Sequence, residues 1–409
     1  MEQGNLRPQG PARSDPRDGD DGSLGVYVHV PFCERVCPYC DFAVVAERKL
    51  APGAPDRYVA ALLTELEMGA ARFAGRRLET LYFGGGTPSL LAPESLGRLI
   101  EAARSRFGRE PAPLEITLEV NPSSLERSRL RSFREAGIDR LSIGVQSFDD
   151  TVLRRLGRAH RAGEARRTLE AARSAGFQNL SLDLIFAAPD QRLVDLERDL
   201  DEALSFAPEH LSVYELTVEA ATPFALAERR GQLRRAGEAE VVEMVRCIEE
   251  RSAAAGLARY ELSSYARPGR EARHNSRYWA RRPVLGIGMG AWSCEPPSEA
   301  APYGARRVNP RDLAAYLERV EAGQPPEARV EILEPREARA EALFLALRRR
   351  EGLAAAAFAL DFGAAPRAFF AESLDRLTRG GLLEESPEGN LRLTERGRLL
   401  ADSVFERFV

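Results

Sequence analysis

Apolar and polar positions alternate in short runs separated by longer helical periods. Val26, Val28 and Val30 alternate and stop at Pro31, a period-two pattern that suits a pleated strand ended by a residue without a backbone donor. Comparable runs recur at Thr80–Phe83, Glu115–Val120, Leu141–Val145, Leu180–Phe186 and His210–Leu216. Helical patterns lie between them at Arg57–Arg72, Pro93–Arg106, Leu125–Ala136, Ala162–Ala175 and Val194–Ser205, and an amphipathic helix is expected at Arg234–Ala255. Strands alternating with helices at this pitch predict parallel βαβ units. Six strands are too few to close an eight-stranded barrel. The expected fold class is therefore α/β, a partial (β/α)6 TIM-like barrel over residues 24–260.

The flanks read differently. Met1–Ser23 is rich in Gly, Pro, Asp and Arg with almost no large apolar residue, so a disordered lead-in is expected over 1–23. Residues 261–334 read as an irregular segment and linker covering the barrel, with Gly323–Pro326 and Pro335 as punctuation. Over 335–409 the expected order is a helix at Arg336–Arg350, a helix at Pro366–Arg379, a hairpin of Leu382–Glu385 with Asn390–Leu393, and a last helix from Glu395 to Phe408. That is the outline of a winged-helix-like module.

Composition narrows the class. The chain has 409 residues, 44 % hydrophobic and 29 % charged, with net charge −4, ordinary values for a water-soluble globular protein of two or three domains. Lys49 is the only lysine, so arginine carries nearly all the positive charge. A net negative chain argues against a general nucleic-acid surface, and Asp375, Glu384, Glu385 and Glu388 deny the terminal module a basic face. No apolar run is long enough to span a bilayer. Five cysteines, three of them clustered, fit a reducing, cytoplasmic setting. Cys247 lies within the Arg234–Ala255 pattern and reads as a buried structural thiol.

The clustered three carry the chemistry. Cys33-x3-Cys37-x2-Cys40 places three soft thiolates on one short loop, which suits iron–sulfur ligation. Three ligands for four irons leave one iron open to a small chelating molecule. The competing reading is a zinc site completed by His29, although zinc ligands usually come as two pairs separated by a longer loop.

Further special residues stand at the carboxyl ends of the expected strands, where barrels of this kind place their chemistry. Gly84-Gly85-Gly86-Thr87-Pro88-Ser89 lets a ligand approach the backbone, or simply makes a tight strand-to-helix turn. Asp183, within Leu-Asp-Leu-Ile-Phe, needs a wet site or a partner. With Glu119 and Gln146 it reads as a ligand contact, and Arg158 suits a carboxylate; the alternative is a structural Asp183–Arg158 pair. Arg273-His274-Asn275-Ser276-Arg277-Tyr278-Trp279 and Leu285–Trp292 hold both tryptophans beside His274, Arg273, Arg277, Arg281 and Arg282. An imidazole can ligate heme iron, aromatic rings can stack a macrocycle and arginines can pair with propionates. The plainer reading is a packed loop with His274 only hydrogen-bonded.

Taken together, Tyr27-Val-His29-Val-Pro31-Phe32-Cys33-x3-Cys37-Pro38-Tyr39-Cys40-Asp41-Phe42 and Gly84-Gly-Gly-Thr-Pro-Ser89 resemble the oxygen-independent coproporphyrinogen oxidase family of radical S-adenosylmethionine (radical SAM) proteins. His274-Asn-Ser-Arg-Tyr-Trp279 resembles the HNxxYW signature of its HemW-like branch of heme chaperones. The resemblance runs from about Gly25 to the C-terminus. It departs from the true oxidases at Phe42, where they carry a fourth cysteine, and in Met1–Ser23, which is unsuited to their longer N-terminal arm. The resemblance implies a 4Fe-4S cluster on Cys33, Cys37 and Cys40. It implies an S-adenosyl-L-methionine (SAM) pocket lined by Tyr27, Tyr39, Gly85, Gly86, Thr87, Glu119, Gln146, Arg158 and Asp183. It also implies heme as a third cofactor, with His274 a candidate and Cys294 its rival. The implied function is heme delivery to an acceptor protein, with coproporphyrinogen III oxidation as the alternative. Whether SAM is cleaved, whether the chain forms a homodimer and whether it touches a membrane transiently stay open.

Overall fold

A computed structural model describes residues 21–109 and 113–409 of the chain. Among these residues a single sheet of thirteen strands runs through the molecule. Its parallel heart is β1 (Ser23–Val30), β2 (Arg77–Gly85), β3 (Glu115–Val120), β4 (Arg140–Gln146), β5 (Leu180–Phe186) and β6 (His210–Glu215), paired side by side in chain order. These strands are nearly continuous in apolar residues because both faces are covered; in β5 all but Asp183 are buried. The covering helices are α1 (Ala54–Ala70), α2 (Pro93–Arg106), α3 (Ser124–Glu135), α4 (Ala162–Ser174), α5 (Leu193–Ser205) and α6 (Glu238–Ala254). Each turns one apolar stripe inward. In α2 this stripe is Leu96, Leu99, Ile100 and Ala103, at the three-to-four spacing of one helix face. The six-stranded partial barrel expected from the pattern is therefore present. Of the lead-in expected over 1–23, residues 1–20 lie outside the described residues, and Ser23 already opens β1.

Residues 261–334 extend the barrel sheet, and within them His274 packs against Tyr27 and Tyr82 of the parallel strands. Beyond β6, short antiparallel strands β7 (Ala258–Arg259) and β8 (Ser264–Ala266) add one edge. On the other side, β9 (Val284–Ile287) pairs parallel with β1, with Tyr27 opposite Gly286. An antiparallel meander of β10 (Trp292–Glu295), β11 (Ala305–Val308) and β12 (Arg329–Ile332) follows, and the two-residue strand Gly108–Arg109 beside β2 makes the thirteenth. These four-residue strands carry arginines and glutamates on a half-exposed edge, so their hydrophobic period is too short and too interrupted to stand out. The His274 segment forms α7 (Arg273–Trp279).

The terminal module contains α8 (Pro335–Leu347), α9 (Ala355–Phe362), α10 (Arg367–Arg379), the hairpin β13 (Leu383–Glu385) with β14 (Leu391–Leu393), and two short helices at Glu395–Leu399 and Ala401–Phe405. The single last helix expected from sequence breaks at Leu400, whose φ of −118° and ψ of 30° lie outside the helical range. This module has its own core of Leu343, Leu347, Phe358, Leu374, Val404 and Phe408. Glu341 fastens it to the sheet by accepting from Arg281 at 2.7 Å and from Arg306 at 2.9 Å.

Candidate functional site

A cavity of about 940 Å³ opens at the carboxyl ends of the parallel strands, at the upper end of the range for ligand sites. Cys33, Cys37 and Cys40 stand on one wall, on the loop that leaves β1. His29 holds this loop closed, its Nε2 2.8 Å from the Ala43 carbonyl. The imidazole of the zinc alternative is thereby spoken for. Among the described residues no three His, Cys, Asp or Glu side chains converge on a single ion. Three free thiols spread along one loop suit a larger polynuclear cluster, which spans a wider triangle of sulfurs than one ion does. Burial holds the Cys33 thiol up at about 11 and also raises Cys40. Metal coordination is what would draw off those protons.

The glycine turn packs directly under the loop. Gly85 has φ +109°, and a Cβ there would stand 2.5 Å from the His29 ring; at Gly86 it would stand 2.7 Å from the Phe32 carbonyl. These glycines are required first for the turn to nest against the cysteine strand, and the ligand wall they form follows from that contact. Thr87, at the end of the turn, directs Oγ1 to Cys33 Sγ at 3.8 Å and accepts from Asn121 Nδ2 at 2.7 Å. Asn121 in turn accepts from Arg158, whose Nη1 lies 3.7 Å from Cys37 Sγ. One side-chain chain thus links two of the thiols across the cavity. Asn121, just past the end of β3, is the connector of this chain, and nothing in the sequence pattern singles it out.

Glu119 accepts from the Tyr82 hydroxyl at 2.8 Å and from the Gly85 N–H at 3.1 Å. Asp183 accepts from Ser142 at 2.8 Å and from Ser181 at 3.3 Å. The structural Asp183–Arg158 pair entertained from sequence is not formed. Burial pushes the Glu119 carboxyl up to about 7 and raises Asp183 as well. Gln146 has φ +66°, unusual for a residue with a side chain, and stands at an irregularity in the β4–β5 pairing. Local strain of this kind turns a side chain out of the ladder, and Gln146 lines the cavity.

Tyr39, Gly85, Gly86, Thr87, Glu119, Gln146, Arg158 and Asp183 thus share one cavity with the three cysteines. Tyr27 and His274 are not in its lining. Tyr27 lies behind it, its hydroxyl 3.1 Å from His29 Nδ1. His274 is 1 % exposed, with Nδ1 2.8 Å from Thr80 Oγ1 and Nε2 3.4 Å from the Tyr278 hydroxyl. Burial pushes its pKa down to about 3. The heme-binding role expected of His274 meets an imidazole already used inside the protein. The arginines around it are used too: Arg273 and Arg277 hold Glu79, Arg281 holds Glu341 and Arg282 holds Asp21. The rival Cys294 is half-buried on β10, with its thiol pKa raised by burial.

Comparison with known proteins agrees with this arrangement. The family model described as the radical SAM superfamily matches residues 27–203, and that of the HemN C-terminal domain matches residues 333–400. The heme chaperone HemW of Bacillus subtilis is 34 % identical over 384 residues, 94 % of this chain and 98 % of its own length. The heme chaperone HemW of Mycobacterium tuberculosis H37Rv is 37 % identical over 93 % of both chains. The Escherichia coli K12 protein of the same name is 39 % identical over 66 % of this chain and 69 % of its own. Among solved structures, the coproporphyrinogen III oxidase HemN of Escherichia coli superposes with a TM-score of 0.80 at 24 % identity, covering 96 % of this chain and 91 % of that one, which establishes the shared fold. With full-length likeness above 30 % identity and the cysteine loop, glycine turn and strand-end carboxylates in one cavity, the chain belongs to the HemW family of the radical SAM superfamily.

Proposed function

We propose that this chain is a heme chaperone that binds heme and passes it to an acceptor protein in the cytoplasm, on a scaffold holding a 4Fe-4S cluster and SAM. The observation that carries the reading is the match to relatives named heme chaperone HemW along nearly the whole of both chains. Cys33, Cys37 and Cys40 are the residues that would hold the cluster, which when bound supplies a one-electron donor with an open iron. Around it the chain's own groups bind and orient. Glu119 and Asp183 offer acceptors to hydroxyl and amino groups, and Arg158 offers its guanidinium to a carboxylate. No helix among the described residues is long and apolar enough to cross a membrane.

The rim of the cavity supports a flat apolar ligand. Val36, Phe42 and Leu125 line it and remain 43 %, 69 % and 44 % exposed, large apolar side chains left open beside a binding cavity. Phe42 stands where the oxidases of the resembling family carry a fourth cysteine, so this position offers an apolar face instead of a further thiol. Titration of anaerobically reconstituted protein with hemin, followed at the Soret band, tests the reading. One heme per chain, weakened by Phe42→Ser, is expected. Absence of stoichiometric binding in the native protein, together with protoporphyrinogen formation from coproporphyrinogen III, would replace it with the oxidase reading.

A further inference from the structure

The cavity floor holds a cation that nothing described so far employs. Arg140 opens β4 and is only 2 % exposed, yet it lines the same cavity as Glu119 and Asp183. Among the described residues it forms no ion pair, and its Nε has no hydrogen-bond partner. Arg277, equally buried, shows the usual remedy: it donates to Ser23 Oγ at 2.8 Å, to the Ser23 and Pro283 carbonyls, and to Glu79. A guanidinium removed from water without such partners is costly, so its place calls for a reason.

Strand geometry supplies one. Alternate residues of a strand share a face, and Arg140, Ser142, Gly144 and Gln146 of β4 all line the cavity. Glu119 comes from β3 on one side of this strand and Asp183 from β5 on the other. Both carboxylates receive hydrogen bonds only from neutral donors, Tyr82 and the Gly85 N–H for one and serines for the other. Of the other guanidiniums lining the cavity, Arg158 stands at the thiol end beside Cys37, Asn121 and the Gly144 carbonyl, and Arg35 is exposed on the cysteine loop.

We propose that Arg140 is a positioning residue of the SAM pocket: its guanidinium is the shared counter-charge that keeps Glu119 and Asp183 in the anionic, accepting form that holds the hydroxyl and ammonium groups of SAM. This inference rests on the SAM-binding reading of the cavity. The other titratable groups facing the two carboxylates are Tyr27, Tyr82 and Tyr214, which burial holds in the phenol form, and His210, His274 and Tyr260 around Arg140. Burial keeps those imidazoles neutral and that phenol protonated, so none of the six supplies charge. Burial raises both carboxyls and the Asp183 charge raises Glu119 further; the hydrogen bonds from Tyr82 and Ser142 offset this first, and Arg140 is the cation that lowers both.

Two measurements test this. SAM binding to cluster-loaded protein is followed by calorimetry between about pH 6 and 9 in the native chain, Arg140→Lys and Arg140→Gln. Arg140→Gln is expected to weaken SAM about tenfold near neutral pH and to move the midpoint of the pH profile up by about one unit, with Arg140→Lys restoring most of both. Infrared titration of cluster-free protein follows the Glu119 carboxyl band, assigned by its loss in Glu119→Gln; this band is expected to titrate at higher pH in Arg140→Gln. A folded Arg140→Gln protein with the native profile and the native band overturns the inference. Should that variant not fold, a Glu119 band still protonated above about pH 8 in the native chain overturns it. Failure of the native protein to bind SAM at all would sink the SAM reading instead, whereas native binding indifferent to Arg140 sinks only this inference.

Discussion

The His29 imidazole bridges the two ends of the cysteine loop: its Nε2 lies 2.8 Å from the Ala43 carbonyl and its Nδ1 3.1 Å from the Tyr27 hydroxyl. A carbonyl can only accept, so Nε2 carries the proton and Nδ1 accepts from the tyrosine. Burial lowers the imidazole pKa, which keeps this neutral tautomer in place. Removing the bridge in His29→Ala is expected to cost about 1–2 kcal/mol of stability and to release iron several-fold faster to a chelator. Chemical denaturation and a chelator challenge under nitrogen measure the two effects. An unchanged rate of iron loss would show that the loop holds its shape without this tether.

Asn121 joins Thr87 to Arg158 and so links the groups beside Cys33 and Cys37. Asn121→Ala leaves Arg158 short of an acceptor in a buried site, and Asn121→Leu adds bulk there. Both are expected to lower SAM affinity by about tenfold, the equivalent of one lost hydrogen bond to a charged group, while iron content stays near native. Equilibrium binding of SAM to each variant decides this; an intact affinity would confine Asn121 to scaffolding.

The Glu119 carboxyl, raised from 4.5 to about 7 in the folded chain, makes stability depend on pH with a definite sign. The folded state holds the proton more tightly than the unfolded one, so this contribution is fully present below pH 4.5 and is lost as pH rises through about 7. Glu119→Gln should therefore be near neutral for stability at pH 5 and gain about 1–2 kcal/mol at pH 8. The gain is smaller than the full shift because the amide cannot accept from both Tyr82 and Gly85. Urea unfolding of the cluster-free protein at the two pH values is the check, and an equal effect at both would contradict the assignment.

His274 works in the opposite direction. Its pKa falls from 6.5 to about 3 on folding, so the unfolded chain takes up a proton that the folded chain refuses. Stability from this group is lost as pH drops from about 6.5 toward 3. His274→Ala opens a cavity beside Tyr82 and leaves Thr80 without its partner, and is expected to cost about 2–4 kcal/mol at neutral pH. Hemin binding per folded chain should be unchanged. A Soret band lost in folded His274→Ala protein would restore this histidine to the heme site.

Much of this architecture was legible in the residues. Short apolar or alternating runs marked all six strands of the parallel heart, and eight of the expected SAM-pocket residues line one cavity with the cysteines. Composition left two readings of His274-Asn-Ser-Arg-Tyr-Trp279 open, a heme contact or a packed loop, and α7 turns His274 and Arg277 inward, where carboxylates and hydroxyls consume their donors. Other contacts escaped notice for physical reasons. Asn121 and Arg140 are single polar residues at strand ends. No periodicity marks them, and their meaning comes only from which strands lie beside them.

The pairing of β1 with β9 carries a consequence for biogenesis. The strand that feeds the cysteine loop is flanked on one side by β2 and on the other by residues 284–287, so a nascent chain lacks half of this strand's neighbours until well past the middle of translation. Contacts separated by so much sequence form late, and an N-terminal segment leaving the ribosome first must wait for them. Iron and sulfide delivered before Val284–Ile287 has emerged would meet thiols on an unsupported edge. The loop that carries Cys33, Cys37 and Cys40 thus gains its final support from a strand that contributes none of the three thiols, and only once that strand has left the ribosome.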